Sequence, residues 1–136
     1  MHSAVAIARD LIAIPSVNPM GDSIVDNIHS ERQVAIYVQS FLASQKVDAQ
    51  LMGLDPAHPN VVAYVDIDAS ETILLEAHMD TVSHENMAID PFDPVVRAGC
   101  LYGRGSCDTR YTRRGVWPRL RRIGPHQSRV RSGGRA

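Results

Sequence analysis

A histidine and an aspartate stand close together at the end of an apolar, β-prone run. The run covers residues 73–82 and reads ILLEAHMDTV, which places His78 and Asp80 two positions apart. Because side chains alternate between the two faces of a strand, both residues are expected on one side at the C-terminal edge of a sheet. Open α/β sheets build ligand sites at that edge. There a carboxylate can accept one imidazole N–H, fix the tautomer and leave the other ring nitrogen for a metal ion.

The spacing of this pair leaves a second interpretation open, in which a strand-end histidine bonds locally and the aspartate starts a turn. Two later motifs favour the metal site. Asp90-Pro91-Phe92 follows the pair, and residues 101–108 read LYGRGSCD, a strand and a glycine-rich turn that ends at Asp108. Asp108 could also cap a helix, since aspartate is favoured at that position, and both roles can hold together.

With these motifs in place, the chain resembles the M20 family of zinc amidohydrolases and peptidases, which includes acetylornithine deacetylase and succinyl-diaminopimelate desuccinylase. The resemblance rests on LLEAHMDTV (74–82), DPF (90–92) and LYGRGSCD (101–108), and it extends over about the first 108 residues. It implies that His78 binds one zinc ion, that Asp80 is the catalytic-site residue orienting His78, and that Asp108 bridges two zinc ions. Cobalt could substitute for zinc.

Two positions depart from the family pattern, and neither is a ligand. Ala77 stands where the family usually has glycine before the histidine, and Met87 stands where a tryptophan commonly precedes the DPF motif. The implied chemistry is hydrolysis of an amide in an N-acyl amino acid or a short peptide. Zinc would supply it by lowering the pKa of bound water to about 7 and by polarising the carbonyl.

The composition is that of one modest globular domain. The chain has 136 residues, 44% of them hydrophobic, and no apolar run approaches the roughly 20 residues that a membrane span needs. Arg9 and Asp10 interrupt the first apolar stretch, so no signal peptide is expected. Cys100 and Cys107 lack metal-site spacing, which favours reduced thiols and a cytoplasmic protein. A disulfide between them stays open.

Two helices are expected before the strands begin. The first covers about residues 2–13, with Ile7, Leu11 and Ile14 on one stripe and a proline closing the element. The second covers about residues 30–45, with a capping-box spacing at its start and a helical core stripe. The box residues are Ser30 and Gln33, and the stripe residues are Val34, Tyr37, Val38, Phe41 and Leu42.

Strands dominate the following part of the chain. Strands are expected at 47–52, at 60–66 and at 72–77, the last buried on both faces, and a hairpin is expected around residues 97–99. This order predicts an α/β fold, namely the N-terminal part of a zinc-peptidase catalytic domain with two helices and then a mixed sheet, incomplete at this length.

The charge distribution changes abruptly after Asp108. Residues 1–108 carry all 15 acidic side chains and five basic ones, whereas residues 109–136 carry nine arginines and no acid. Such a switch marks a boundary. We therefore divide the chain into residues 1–108, the M20-like part, and residues 109–136, an arginine-rich tail expected to be disordered.

Out-of-frame translation would explain the tail. The codons of Val116-Trp117-Pro118 read GTN-TGG-CCN, and reading from the third base of each codon forces one alanine and permits the Gly-Gly-Met-Ala-Ala that the family pattern implies there. Two alternatives remain, a nucleic-acid-binding tail that neutralises phosphates and a solvated segment that binds polyanions non-specifically. Nucleic acid is the less favoured partner.

The resemblance also shows what residues 1–136 do not contain. In the family a general-base Glu, a neighbouring Glu ligand, another acidic ligand and a second His follow later, but no Glu occurs here after Glu85. We therefore expect this chain alone to be catalytically inactive and to bind zinc weakly at best. Three functions stay open: a deacylase, a di- or carboxypeptidase, and a non-enzymatic remnant or polyanion-binding fragment. The complete enzyme could be a homodimer.

Overall fold

The computed structural model describes residues 3–21, 26–107 and 121–123. Its elements confirm the α/β class, since two helices precede the strands. In chain order they are α1 (Ala4–Ala13), α2 (Arg32–Ser44), β1 (Ala49–Met52), β2 (Asn60–Ala63), β3 (Thr72–Leu74), β4 (Val95–Arg97), β5 (Cys100–Tyr102) and β6 (Arg121–Ile123). No helix within these ranges has the length and apolar character needed to cross a membrane.

Helix α1 is capped at its start and stopped by a proline at its end. The Ser3 hydroxyl accepts a hydrogen bond from the backbone N–H of Ala6, at 3.2 Å. The residue before a proline is disfavoured in helical conformation, so Ile14 is extended and the helix ends at Ala13. The side chain that α1 buries most completely is Ile12, which lies outside the predicted stripe of Ile7, Leu11 and Ile14.

Helix α2 matches its predicted range but not its predicted cap. Glu31 is the N-cap and its side chain makes no capping hydrogen bond, so the predicted capping box of Ser30 and Gln33 was wrong. Because the N-cap is Glu31 and not Ser30, the Ser30 hydroxyl accepts from the backbone N–H of Arg32 at 3.2 Å, and it donates to the Ala57 carbonyl at 2.7 Å. The loop before β2 is thereby attached to the start of α2.

The inner face of α2 contributes to a small core beneath the first two strands. Val34 and Ala35 are fully buried, and the helix packs against β1 and β2. Strand β1 pairs antiparallel with β2, and the Gln39 side-chain amide donates to the Ala49 carbonyl at 2.7 Å. The rest of the predicted stripe is half-buried.

The remaining strands form separate pairs within the described residues. The hairpin prediction is confirmed: β4 pairs with β5, and Ala98 (φ 51°) and Gly99 (φ 76°) form the two-residue turn, whose positive φ values suit this connection. Strand β3 pairs antiparallel with β6. The remainder of the tail lies outside the described residues, and its disorder stays a prediction.

The strand predicted at residues 72–77 is shorter and more exposed than expected. It ends at Leu74, and Ile73 is 66% exposed. Burial on both faces requires packing layers on both sides of a sheet, whereas in the described residues β3 has only β6 as a paired strand. Residues 75–80 therefore continue as backbone without assigned strand structure.

A hydrogen bond from the Tyr37 side chain joins α2 to α1. Its hydroxyl donates to the Asp10 carboxylate at 2.9 Å, and burial together with this bond raises the pKa of Tyr37 from 10.0 to about 12. The unfolded chain therefore loses this proton at lower pH than the folded chain does. We expect the stability contributed by this contact to be present below pH 10 and to be lost progressively as the pH rises towards 12.

Replacing Asp10 with asparagine should lower the pKa of Tyr37 without returning it to 10.0, because burial is the larger cause of the shift. NMR titration of ring-labelled tyrosine measures this pKa in the unmodified chain and in the variant. An unchanged Tyr37 titration in Asp10→Asn would contradict the contact.

Candidate functional site

The segment that carries His78 and Asp80 is fixed by a stretch of chain far from it in sequence. Val17 forms a parallel bridge with Thr81. The Thr81 N–H donates to the Ser16 carbonyl, and the Asn18 N–H donates to the Thr81 carbonyl, each at 2.8 Å. Ser16, Val17 and Thr81 are all buried. The loop after α1 therefore holds the backbone directly after Asp80 in place.

The structure brings His78 and Asp80 into contact. The Nδ1 atom of His78 lies 3.1 Å from Oδ1 of Asp80 and 3.0 Å from the Asp80 main-chain carbonyl oxygen. With Nδ1 turned to these two acceptors, Nε2 is the nitrogen directed away from Asp80. The His78 side chain is 46% exposed, so the imidazole is accessible. An Nδ1–H donor and an Nε2 ligand atom form the arrangement that a metal-binding histidine needs.

Asn18 completes this constellation, and the pattern of the sequence gave no reason to select it. Its side-chain Nδ2 donates to Oδ2 of Asp80 at 2.7 Å, across 62 positions of sequence. Asn18 lies in a stretch rich in Pro, Gly, Asn and Asp, a composition typical of any loop. No sequence pattern marks Asn18, because its role depends on the bridge between Val17 and Thr81, which exists only in the folded chain.

The electrostatics of Asp80 follow from these contacts. Partial burial acts to raise the pKa of the Asp80 carboxyl, but the hydrogen bond from Asn18 and the charge of His78 act in the opposite direction. The net effect is a pKa below the usual value for aspartate. Asp80 is therefore a carboxylate acceptor at neutral pH, as the orientation of His78 requires.

The glycine-rich turn that leads to Asp108 packs against α1 and the DPF motif. The Arg104 N–H donates to the Pro91 carbonyl at 3.0 Å, and the Arg104 guanidinium lies over the Phe92 ring, 4.8 Å from its centroid. Arg104 is only 2% exposed. A Cβ atom at Gly103 would lie 2.5 Å from Cγ2 of Ile12, so this position must be glycine at the observed separation. The two later motifs thus form one packed unit with α1.

The other described histidines do not join His78. His58 contacts the Glu31 carboxylate, and His29 lies 2.9 Å from that of Asp26. His84 is half-buried, with its ring centroid 5.7 Å from that of Phe92, because the loop after Asp80 folds back onto the DPF motif. His2 and His126 lie outside the described residues.

The predicted second zinc ligand, Asp108, also lies outside the described residues, so its place relative to His78 stays a prediction. Among residues 3–21 and 26–107, no three His, Cys, Asp or Glu side chains are grouped as a metal ion would require. Cys100 and Cys107 are free and exposed. The described part of the site therefore consists of one accessible imidazole, its carboxylate partner and the amide that holds that carboxylate.

A family model of known proteins matches the segment that carries this constellation. The model is that of peptidase family M20/M25/M40, and the match covers residues 74–116, which include His78, Asp80 and the glycine-rich turn. This segment is therefore similar in sequence to M20 peptidases. The resemblance inferred from the three motifs is thereby confirmed, and the matched M20 segment begins at the last residue of β3.

Curated relatives agree with this match. An uncharacterized metallohydrolase of Methanocaldococcus jannaschii is 28% identical over 117 residues, covering 79% of this chain and 28% of the relative. A peptidase M20 domain-containing protein of Schizosaccharomyces pombe is 29% identical over 115 residues, covering 74% and 27%. A probable succinyl-diaminopimelate desuccinylase of Staphylococcus epidermidis is 27% identical over 88 residues, covering 62% and 21%. The chain thus spans less than a third of these relatives.

Proposed function

We propose that this chain is part of a zinc-dependent hydrolase that cleaves the amide bond of N-acylated amino acids. The observation that carries the proposal is the contact of His78 Nδ1 with Asp80 inside the matched M20 segment. The name of the Staphylococcus epidermidis relative, a probable desuccinylase, supports an N-acyl amino acid as the substrate class. The metallohydrolase name of the archaeal relative supports a metal cofactor.

The donor set of the described residues fits one ligand of such a centre. His78 would hold zinc through Nε2, because Nδ1 is turned to Asp80, and Asp108 would provide the bridging carboxylate by family resemblance. Zinc favours imidazole nitrogen and carboxylate oxygen as ligands, and two-metal hydrolases use a shared carboxylate. When bound, zinc would polarise the substrate carbonyl and lower the pKa of its water.

The described residues of this chain would contribute to that chemistry by orienting the histidine ligand. The Asp80 carboxylate would accept a hydrogen bond from Nδ1–H of His78 and so fix the tautomer, and it stays ionised because its pKa is lowered. The general-base Glu that the family resemblance implies has no counterpart after Glu85. We therefore expect the 136-residue chain to hold an oriented imidazole while lacking the group that would take a proton from the attacking water.

This expectation can be tested directly on the purified chain. Incubated with zinc and N-acetylornithine or N-succinyl-diaminopimelate, it should release neither acetate nor succinate above the rate of buffer alone. Product release is measured by coupled assay, with and without a chelator. Zinc-dependent turnover that the chelator abolishes would show that the chain contains a complete active centre and would overturn the prediction.

A chimera tests the activity itself. Residues 1–108 of this chain would replace the corresponding part of the Staphylococcus epidermidis desuccinylase, so that the relative provides the remaining length. We expect hydrolysis of N-succinyl-diaminopimelate, and loss of at least about 1,000-fold in the His78→Ala chimera, since removing a ligand removes the metal-derived rate enhancement. A His58→Ala chimera is the matched control and should keep its activity. A folded chimera that binds zinc but hydrolyses no acylated amino acid would contradict the proposed substrate class.

A peptidase is the second candidate, favoured by the description of the matching family and by the name of the fission-yeast relative. The same chimera separates the two, because a dipeptide series can be assayed beside the acylated amino acids. If the chimera hydrolyses dipeptides in preference to acylated amino acids, the result would support a peptidase. Inactivity on every substrate, together with normal folding and zinc binding, would favour a non-enzymatic remnant.

A further inference from the structure

We propose that Asn18 is a positioning residue, which holds the Asp80 carboxylate in the orientation that directs His78. A role of Asn18 in catalysis rests on the proposed hydrolase function, whereas the contacts that support the inference are independent of that function. Asn18 lies outside the matched M20 segment and 62 positions from Asp80 in sequence.

The two oxygen atoms of Asp80 are divided between two partners. Oδ2 accepts the hydrogen bond from Asn18 Nδ2 at 2.7 Å, and Oδ1 lies 3.1 Å from His78 Nδ1. A carboxylate on a short side chain can rotate about its terminal bond, whose torsion is broad. The bond to Asn18 opposes this rotation, so one amide fixes the direction from which Oδ1 meets the imidazole.

The amide of Asn18 is itself held at both ends. Its Oδ1 accepts the backbone N–H of Met20 at 2.8 Å, which assigns the oxygen end of the amide and turns Nδ2 towards Asp80. Its backbone N–H donates to the Thr81 carbonyl, so its Cα is fixed beside the residue that follows Asp80. The donor is thus oriented before any ligand arrives, as positioning groups around metal ligands are.

The main-chain carbonyl of Asp80 offers a competing account of the His78 orientation. It lies 3.0 Å from the same Nδ1 atom and would remain if the carboxylate were removed. Asn18 can influence the tautomer of His78 only if the Asp80 carboxylate helps to select that tautomer. A test must therefore separate the side chain of Asp80 from its backbone, and an effect through Asp80 from a general effect on folding.

NMR of nitrogen-labelled histidine in the full chain, without metal, provides that test. At a pH well above the usual histidine pKa of about 6.5, the spectrum reports which ring nitrogen of His78 carries the proton. We expect the Nδ1–H tautomer in the unmodified chain, and a shift towards Nε2–H in Asn18→Ala and in Asp80→Ala. Asn18→Asp, which keeps the size but removes the donor, should shift it at least as far.

A double variant and a matched control complete the design. In an Asp80→Ala background, Asn18→Ala should change the tautomer no further, because its effect passes through the carboxylate. Asn27→Ala removes an exposed asparagine from the same loop and should leave the tautomer unchanged. Zinc affinity of the Asn18→Ala chimera should fall about 10-fold, the lower end of the range for groups that orient ligands.

Each other outcome overturns the proposal. An unchanged tautomer in Asp80→Ala would assign the orientation to the main-chain carbonyl, and an unchanged tautomer in Asn18→Ala would show that the carboxylate needs no support. An equal shift in the Asp80→Ala background, or failure of both Asn18 variants to fold, would assign Asn18 to the fold. Because the tautomer and folding measurements need neither zinc nor substrate, a failed hydrolase assay leaves the positioning result intact.

Discussion

Replacing Gly103 with alanine should destabilise the folded chain by about 2–4 kcal/mol, from overpacking and from backbone strain together. The new methyl group would lie 2.5 Å from Cγ2 of Ile12, a buried β-branched side chain that cannot turn away freely. The backbone at Gly103 also has a φ of 155°, which residues other than glycine rarely adopt. The change in the free energy of unfolding is measured by urea denaturation.

Two further variants separate the clash from the strain. Gly99→Ala is the matched control, because Gly99 has a φ of 76° but no atom within 4 Å of the position of a Cβ, so it should lose only about 1 kcal/mol. Ile12→Leu removes the Cγ2 methyl group and should recover part of the loss when combined with Gly103→Ala. Equal losses in Gly103→Ala and Gly99→Ala would contradict the close packing of α1 on this turn.

Replacing Arg104 with alanine should destabilise the chain by about 3–5 kcal/mol, as the removal of a large buried side chain does. Among the described residues Arg104 has the largest fully buried side chain, and its guanidinium lies 4.8 Å from the centroid of Phe92. A desolvated cation–π contact contributes about 2 kcal/mol of this. Arg104→Lys should still lose stability, because an ammonium group cannot stack on the ring as a planar guanidinium does.

Arg97 is the natural control for Arg104. Its guanidinium lies 5.6 Å from the centroid of Tyr102, in the same kind of contact, but on the exposed β4–β5 hairpin. Water screens the charge there, so Arg97→Ala should cost at most about 1 kcal/mol. Both variants are compared by urea denaturation at one ionic strength. Comparable losses would show that burial of Arg104 adds nothing to its contact with Phe92.

Local patterns predicted the elements of this fold well. The proline after α1, the apolar stripe of α2 and the Ala98-Gly99 turn each specify their structure through nearby residues. Partners distant in sequence decided the rest. Ser30 binds the Ala57 carbonyl and the Arg32 N–H instead of forming the predicted box with Gln33, and burial of β3 would depend on layers that the described residues do not supply.

The candidate site, too, was predictable from local patterns only in part. Period-two alternation placed His78 and Asp80 on one side, and the structure brings them together although β3 ends four residues before His78. Asn18 could not be predicted, because its role depends on a bridge between segments that no periodicity reveals. The burial of Arg104 was missed for a related reason, since an arginine in a glycine-rich turn is normally solvated.

The bridge between Val17 and Thr81 has a consequence for the order in which the protein acquires its structure. Its backbone bonds join Thr81 to Asn18 and to Ser16, 63 and 65 positions apart, so a long loop must close before they form, whereas α2 and the β1–β2 pair form from residues closer in sequence. In a refolding experiment the helical signal should therefore recover before the His78 environment does. The imidazole that the site depends on would be among the last groups to reach its native surroundings, and on the ribosome it would wait for residue 81 to emerge.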